Sequence, residues 1–196
     1  MEPCGLIFDL DGTLADTMPV HYEAWIDTLN PLGLALDEDR FYALGGKPTV
    51  VVAQLLIDEA GLALDAEQLT LEKENRYLER LAEVRQIEPI VAVAREFRGR
   101  MPMAVATGAM RSVAEQTLDL IGLRDWFGAL VTSDDVTKHK PDPEIFLASA
   151  RALGVDPRCC RVYEDADLGL EAARRAGMQA FDVRTVYKPR RVSPRS

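Results

Sequence analysis

Four short groups of polar residues each follow an apolar stretch that has the composition of a buried strand. In chain order the groups are Asp9-Leu10-Asp11-Gly12-Thr13, Thr107-Gly108, Lys138-His139-Lys140-Pro141 and Glu164-Asp165. Ligands of an open parallel sheet bind beyond the carboxyl ends of its strands, so these groups should meet at one edge. The spacing therefore predicts a single site that holds four carboxylates, a hydroxyl and a lysine.

The charges of this set indicate what chemistry it could perform. Each close pair of carboxylates repels by on the order of 1–4 kcal/mol, and a hard divalent cation such as Mg²⁺ relieves that repulsion. One carboxylate can then attack an electrophile and carry an acyl phosphate, while a second, two residues away, acts as acid and then as base. A hydroxyl and an ammonium can hold phosphoryl oxygens. The pattern favours phosphoryl transfer.

Taken singly, each group also has an ordinary structural explanation. The first can be a turn, the second a helix N-cap, Lys140 a solvated lysine and the last an acidic first turn of a helix. An EF-hand loop is excluded, because Thr13 and Leu14 stand where that loop needs Asp or Asn and then Gly. What favours chemistry is that all four groups occupy the same end of a strand.

The elements that would position these groups alternate between strand and helix. Apolar stretches predict strands at 4–9, 101–107, 129–132, 160–164 and 179–183. Amphipathic patterns that stop at glycine predict helices at 112–121, 143–153 and 168–176. This alternation predicts an α/β fold with a Rossmann-like, doubly wound parallel sheet.

The segment between the first predicted strand and the later strands has a different sequence pattern. Its patterns predict helices at 21–32, 39–44, 48–60 and 66–84. We therefore predict a core of residues 1–15 and 87–187 and an inserted α-helical cap of residues 16–86, joined by two adjacent connections that act as a hinge. The basic, proline-broken tail, residues 188–196, is predicted to fray.

Charge and cysteine content narrow the class of protein. The 32 acidic and 23 basic residues among 196 give a net charge of −9, which argues against binding to nucleic acid or an anionic membrane surface. Cys4, Cys159 and Cys160 lack metal-site spacing, so reduced thiols are expected. With no signal peptide or membrane-length apolar stretch in the sequence, we expect a cytoplasmic protein that needs to be no more than a monomer.

The four groups, in this order, resemble the motifs of the haloacid dehalogenase superfamily of phosphohydrolases, from Asp9 to about Val183. The matching segments are Asp9 to Thr17, Thr107, Lys140-Pro141-Asp142-Pro143 and Glu164 to Gly169. The inserted helices are similar to the cap of the β-phosphoglucomutase-like branch. More closely, the chain resembles bacterial sugar-phosphate phosphatases of the fructose-1-phosphate phosphatase type.

This resemblance implies roles for individual residues. The catalytic set would be Asp9 as nucleophile, Asp11 as general acid and base, and Thr107 and Lys140 as phosphoryl anchors. The Mg²⁺ ligands would be Asp9, the main-chain carbonyl of Asp11, Asp165 and Glu164. Lys138 is the rival of Lys140, which is preferred because it directly precedes Pro141. Branch members that act as dehalogenases lack the second aspartate, so Asp11 favours phosphoryl transfer.

The resemblance also implies that the cap selects a small phosphorylated sugar. The substrate contacts would be His21, Trp25, Gly46, Lys47, Lys73, Thr107 and Gly108. His21 and Trp25 are four residues apart and share a helix face. Thr49 stands where phosphomutases of the branch place an arginine for a second phosphate, which favours a hydrolase. A phosphomutase and a non-catalytic sugar-phosphate sensor are the alternatives.

Overall fold

The predicted parallel sheet is present in the computed structural model, which describes residues 2–192. Its strands are β1 (Gly5–Phe8), β2 (Met103–Ala106), β3 (Ala129–Val131), β4 (Cys160–Glu164) and β5 (Gln179–Asp182). They run parallel in the order β3-β2-β1-β4-β5, with Ile7 of β1 between Ala104 and Val162. β1 is buried along its whole length, as the central strand of a sheet covered on both faces must be.

Helices cover the sheet and fill the insertion. Those that follow the insertion are α5 (Glu88–Phe97), α6 (Arg111–Leu120), α7 (Glu144–Leu153) and α8 (Asp167–Arg175). Sequence reasoning missed α5, although Pro89 in its first turn and Ile90, Val91 and Ala94 on its buried face carry the helical pattern. The α/β class with a doubly wound parallel sheet is confirmed.

The inserted segment contributes four helices to the described chain: α1 (Met18–Leu29), α2 (Glu38–Ala43), α3 (Thr49–Ala60) and α4 (Ala66–Glu79). They share an apolar cluster that includes Met18, Trp25, Phe41, Leu56 and Leu69, separate from the clusters on the two faces of the sheet. The boundaries of the cap at residues 16 and 86 stay a prediction.

The two connections of the insertion lie side by side. Ala15 pairs with Gln86 in an antiparallel bridge, and the Asp16 N–H donates to the Arg85 carbonyl at 2.8 Å. The Ile87 N–H donates to the Leu14 carbonyl at 2.9 Å. This narrow two-stranded neck has the geometry that the predicted hinge requires.

The C-terminal segment differs from its prediction. The Val192 N–H donates to Glu38 Oε1 at 2.8 Å, and the Arg191 guanidinium pairs with Asp39 and lies 4.0 Å from the centre of the Tyr42 ring. Residues 191 and 192 therefore contact the acidic first turn of α2, whereas fraying of the rest of the tail stays a prediction. Residues 193–196 lie outside the described residues.

The cysteines also depart from the expectation of three reduced thiols. Cys4 and Cys159 form a disulfide with a Cα–Cα distance of 5.3 Å, and Cys160 is free and buried. The pairing of β1 with β4 brings these cysteines together across 155 residues of sequence, which spacing alone does not reveal. Among residues 2–192, no helix has both the length and the apolar character needed to cross a membrane.

Packing of α6 on the sheet provides a test of the fold. Leu118 is 1% exposed in the core, whereas Leu120, on the same helix, is 45% exposed. We expect Leu118→Ala to lower the free energy of unfolding by about 2–5 kcal/mol, because it removes buried methyl groups and leaves a cavity. The control Leu120→Ala should change it by less than about 0.5 kcal/mol. Urea denaturation of both variants checks this, and equal losses would contradict the assigned packing.

Candidate active site

The polar groups meet at the carboxyl edge of the sheet. Asp9 follows β1, Thr107 follows β2 and Glu164 ends β4, while Lys140 enters from the loop before α7. Helices α1 and α4 and the loop of residues 44–47 face them from the insertion. Between the two sides lies a cavity that opens to solvent.

The buried ammonium of Lys140 joins the first and last groups. Its Nζ donates to Asp9 Oδ1 at 2.8 Å and to Glu164 Oε2 at 2.7 Å. Burial opposes the charge, but the two carboxylates outweigh it and raise the pKa of Lys140 above its usual range. Lys138 is exposed and its backbone N–H donates to Glu144, so Lys140 is the lysine that reaches the carboxylates Asp9 and Glu164.

Three carboxylates crowd the centre of this edge. Asp9, Glu164 and Asp165 can each offer one oxygen such that all three lie within 4.8 Å of one another. Burial raises the pKa of Asp9 well above its usual range and that of Asp165 to about 8, and the neighbouring Glu164 charge adds to both shifts. This all-oxygen set with uncompensated charge fits a hard divalent cation such as Mg²⁺.

The carboxylate of Asp11 has a different set of partners. It accepts hydrogen bonds from Thr17 Oγ1 at 2.8 Å, from Thr107 Oγ1 at 3.3 Å and from His21 Nε2 at 3.2 Å. Burial alone would raise its pKa, but the bonds from His21 and Thr17 and the charge of Lys73 outweigh burial and lower the pKa. Asp11 is therefore ionised in the ligand-free protein.

A chain of contacts links Asp11 to the inserted helices. Lys73 Nζ lies 2.7 Å from His21 Nδ1. Because an ammonium has only donors, Nδ1 accepts, so Nε2 of His21 carries the proton that is donated to Asp11. The Tyr77 ring stacks on His21 with centres 3.9 Å apart, and Lys73 Nζ lies 5.9 Å from the centre of the Trp25 ring.

The loop of residues 44–47 lies directly against the core. A Cβ added to Gly108 would stand 3.3 Å from the Gly46 carbonyl oxygen and 3.7 Å from Lys47. Gly46 has a φ of +83° and approaches Ala166. All the predicted substrate contacts named in the sequence analysis, including Lys47 of this loop, line the cavity.

Sequence reasoning missed several residues of this site. Thr17 stands within the first motif but was given no role, and Thr49 was noted only as a missing arginine. Glu74 was passed over inside the charged run Glu72-Lys73-Glu74, because such runs on helices are usually solvated. Gly169 was quoted only as the end of a motif, yet a Cβ there would lie 2.1 Å from Glu164 Cδ.

The absence of a side chain at Gly169 allows us to predict the direction in which Gly169→Ala changes the free energy of unfolding. In an open helix Gly→Ala would stabilise by up to about 1 kcal/mol. We expect Gly169→Ala instead to lower the free energy of unfolding by about 1–3 kcal/mol, because the new methyl group overlaps Glu164. Gly128→Ala, whose Cβ would meet neighbours at 3.6 Å or more, is the control and should be tolerated. Denaturant unfolding of both variants measures this, and a Gly169→Ala variant that is more stable than the wild type would contradict the close packing of Gly169 against Glu164.

The crowded carboxylates predict an effect of metal and pH on stability. Because the pKa of Asp165 is raised from 3.8 to about 8, the metal-free fold should lose stability as pH rises between these values. At pH near 8 without metal, Asp165→Asn should raise Tm by at least about 2–4 °C, the equivalent of ~1 kcal/mol. Mg²⁺ should raise the Tm of the wild type more than that of the variant. Thermal unfolding with and without a chelator checks both, and equal responses to Mg²⁺ would contradict the site.

Comparison with known proteins agrees with this geometry. The family of haloacid dehalogenase-like hydrolases matches residues 5–177, a range that holds strands β1 to β4, the four motif groups and the inserted helices. Fructose-1-phosphate phosphatase YqaB of Escherichia coli (strain K12) is 45% identical over 180 residues, 92% of this chain and 96% of that protein. A phosphorylated carbohydrates phosphatase of Thermotoga maritima is 31% identical over 89% of this chain and 82% of its own length.

Solved structures show the same arrangement of core and insertion. A β-phosphoglucomutase from Clostridium difficile matches with a TM-score of 0.83 at 25% identity, over 92% of this chain and 83% of that one. A hydrolase from Pseudomonas syringae matches with a TM-score of 0.83 at 27% identity, over 94% and 87%. The chain is therefore an enzyme and belongs to the haloacid dehalogenase-like hydrolase family.

Proposed function

We propose that this enzyme is a Mg²⁺-dependent phosphatase of small sugar phosphates, of the fructose-1-phosphate type, that works through an aspartyl phosphate on Asp9. It is a phosphomonoester hydrolase. The observation that carries the proposal is the buried Lys140, which holds Asp9 and Glu164 beside Asp165 while Asp11 stands apart with its own hydrogen-bond donors. The 45% sequence identity with a fructose-1-phosphate phosphatase supports the substrate class.

Asp9, Asp165, Glu164 and the Asp11 main-chain carbonyl would hold the metal. When bound, Mg²⁺ would offset the charge of these carboxylates and of the phosphate. Lys140 already neutralises part of that charge, which leaves room for a phosphate monoester beside three carboxylates. Thr107, buried at the end of β2, and the backbone of Gly108 would bind the phosphoryl oxygens from the other side.

In the first step Asp9 would attack phosphorus while the bond from phosphorus to the sugar oxygen breaks. Lys140 engages Asp9 Oδ1, which leaves the second carboxylate oxygen for the attack. Asp11 would pass a proton to the sugar oxygen. Since Asp11 is ionised without ligand, we expect that proton to arrive with the phosphate monoester, whose second pKa is about 6.

In the second step Asp11, again a carboxylate, would take a proton from water as the water oxygen attacks phosphorus. The acyl phosphate bond breaks, phosphate leaves and Asp9 is restored. The lowered pKa of Asp11 keeps its carboxylate in the ionised form, which is the form that accepts a proton. His21 and Thr17 would keep its carboxylate oriented through both steps.

The cap would choose the sugar. Trp25, Lys73 and the loop with Gly46 and Lys47 line the cavity opposite the carboxylates, where a sugar attached to the reacting phosphate must lie. The hydroxyl of Thr49 donates to Glu74 at 2.5 Å, so this position offers no cation for a second phosphate. That contact favours hydrolysis over the phosphomutase alternative, and membership of a hydrolase family disfavours the sensor.

Replacing the nucleophile tests the proposal. We expect Asp9→Asn to lower kcat/KM for phosphate release from fructose-1-phosphate with Mg²⁺ by at least about 10³-fold, because an amide cannot form the acyl phosphate. The control Asp125→Asn changes an exposed aspartate just before β3, at the other edge of the sheet, and should retain activity. Phosphate release and circular dichroism of both variants provide the measurement.

Three results would contradict it. Full activity of Asp9→Asn would exclude this nucleophile, and wild-type activity that persists in a chelator would exclude the metal. Interconversion of sugar phosphate isomers with little free phosphate would favour the phosphomutase.

A further inference from the structure

The wall of the cavity contains a buried acidic side chain that the proposed chemistry does not use. Glu74, on α4, is 3% exposed and lines the cavity beside Thr49 and Lys73. Its Oε1 accepts hydrogen bonds from Thr49 Oγ1 at 2.5 Å and from Lys73 Nζ at 3.1 Å. Its Oε2 is buried and accepts a hydrogen bond from no residue between 2 and 192.

A buried carboxylate oxygen without a donor is costly, and such atoms in native proteins call for an explanation. Burial by itself would favour the neutral acid, but the nearby charge of Lys73 and the hydrogen bonds from Thr49 and Lys73 outweigh it, so the pKa of Glu74 is lowered. The cap side of the cavity therefore presents a fixed negative charge with one oxygen still lacking a partner.

We propose that Glu74 determines which sugar phosphates the enzyme accepts. Its free oxygen accepts a hydrogen bond from a hydroxyl of the bound sugar, and its charge rejects sugars that carry a second phosphate or a carboxylate at that end. The inference rests on the proposed function, because it concerns the part of the substrate that lies away from the reacting phosphate.

The two ends of the cavity then have opposite preferences. At the core end, Lys140, the backbone of Gly108 and the metal site accept an anion. At the cap end, the ammonium of Lys73 is engaged by His21 Nδ1 and Glu74 Oε1, and the second cation that lines the cavity there, Lys47, lies on the loop of residues 44–47. A neutral hydroxyl donor satisfies Glu74 Oε2, whereas a second anion adds repulsion in a desolvated place.

A purely structural explanation of Glu74 competes with this one. Through Oε1 it could only orient Lys73, and through Lys73 support His21 and Asp11. Loss of that support would weaken the binding of all phosphate esters by a similar factor. Selection by Glu74 itself instead predicts a change in the ratio between a singly and a doubly phosphorylated sugar.

The experiment measures binding in the Asp9→Asn background with Mg²⁺, so that it does not depend on turnover. Calorimetry gives Kd for fructose-1-phosphate and for fructose-1,6-bisphosphate, with and without Glu74→Gln. We expect Glu74→Gln to weaken the binding of fructose-1-phosphate. We also expect the ratio of the two Kd values to shift in favour of the bisphosphate by at least about 10-fold, because like-charge repulsion is lost. The control Glu72→Gln, an exposed acid on the same helix, should leave the ratio within about twofold.

A second variant separates the two parts of the proposal and guards against misfolding. Glu74→Asp keeps the charge but shortens its reach, so the monophosphate should bind more weakly while the bisphosphate stays rejected. An unchanged ratio in Glu74→Gln, or binding of neither ester by the parent Asp9→Asn protein, would overturn the role of Glu74. Failure of the proposed function would show separately, as absence of phosphate release by the wild type.

Discussion

The site depends on the ion pairs of one buried lysine. Lys140 is 4% exposed and holds Asp9 and Glu164 within 2.8 Å of its Nζ. Without that ammonium, three buried carboxylates at the end of β1 and β4 would repel one another at a cost that folding could not easily offset. Only part of the negative charge is neutralised, and the remainder suits the divalent cation that we propose for this edge.

The neighbouring backbone is shaped around this cluster. A Cβ at Gly12 would lie 2.3 Å from Asp165 Oδ2, and one at Gly169 would overlap Glu164. A side chain at either glycine would therefore occupy the space of a carboxylate that belongs to the candidate site. Asp11, in contrast, belongs to the core by sequence but takes its hydrogen bonds partly from His21 of the insertion, so its ionisation depends on contact between the two parts of the molecule.

Much of this could be predicted from the sequence because the signals are local. Continuous apolar stretches mark strands buried on both faces, and the order of polar groups after them places the candidate site. Lys140 was preferred to Lys138 on one neighbouring proline, and the structure puts Lys140 against Asp9. The helix α5 was missed, although Pro89 and its buried face carry a local signal. The disulfide and the docked residues 191 and 192 depend on contacts between distant segments, which spacing does not encode.

By itself, the sequence determined the class of fold, the edge of the sheet that holds the candidate site and the residue types available there, since periodicity and strand ends are properties of short segments. Only the tertiary structure decided which charges meet. It made Glu74, one acid in a charged run, a buried carboxylate beside Lys73, and it brought Lys73 through His21 to Asp11. Electrostatic energies depend on distance and burial, and both are set by packing between elements far apart in the chain.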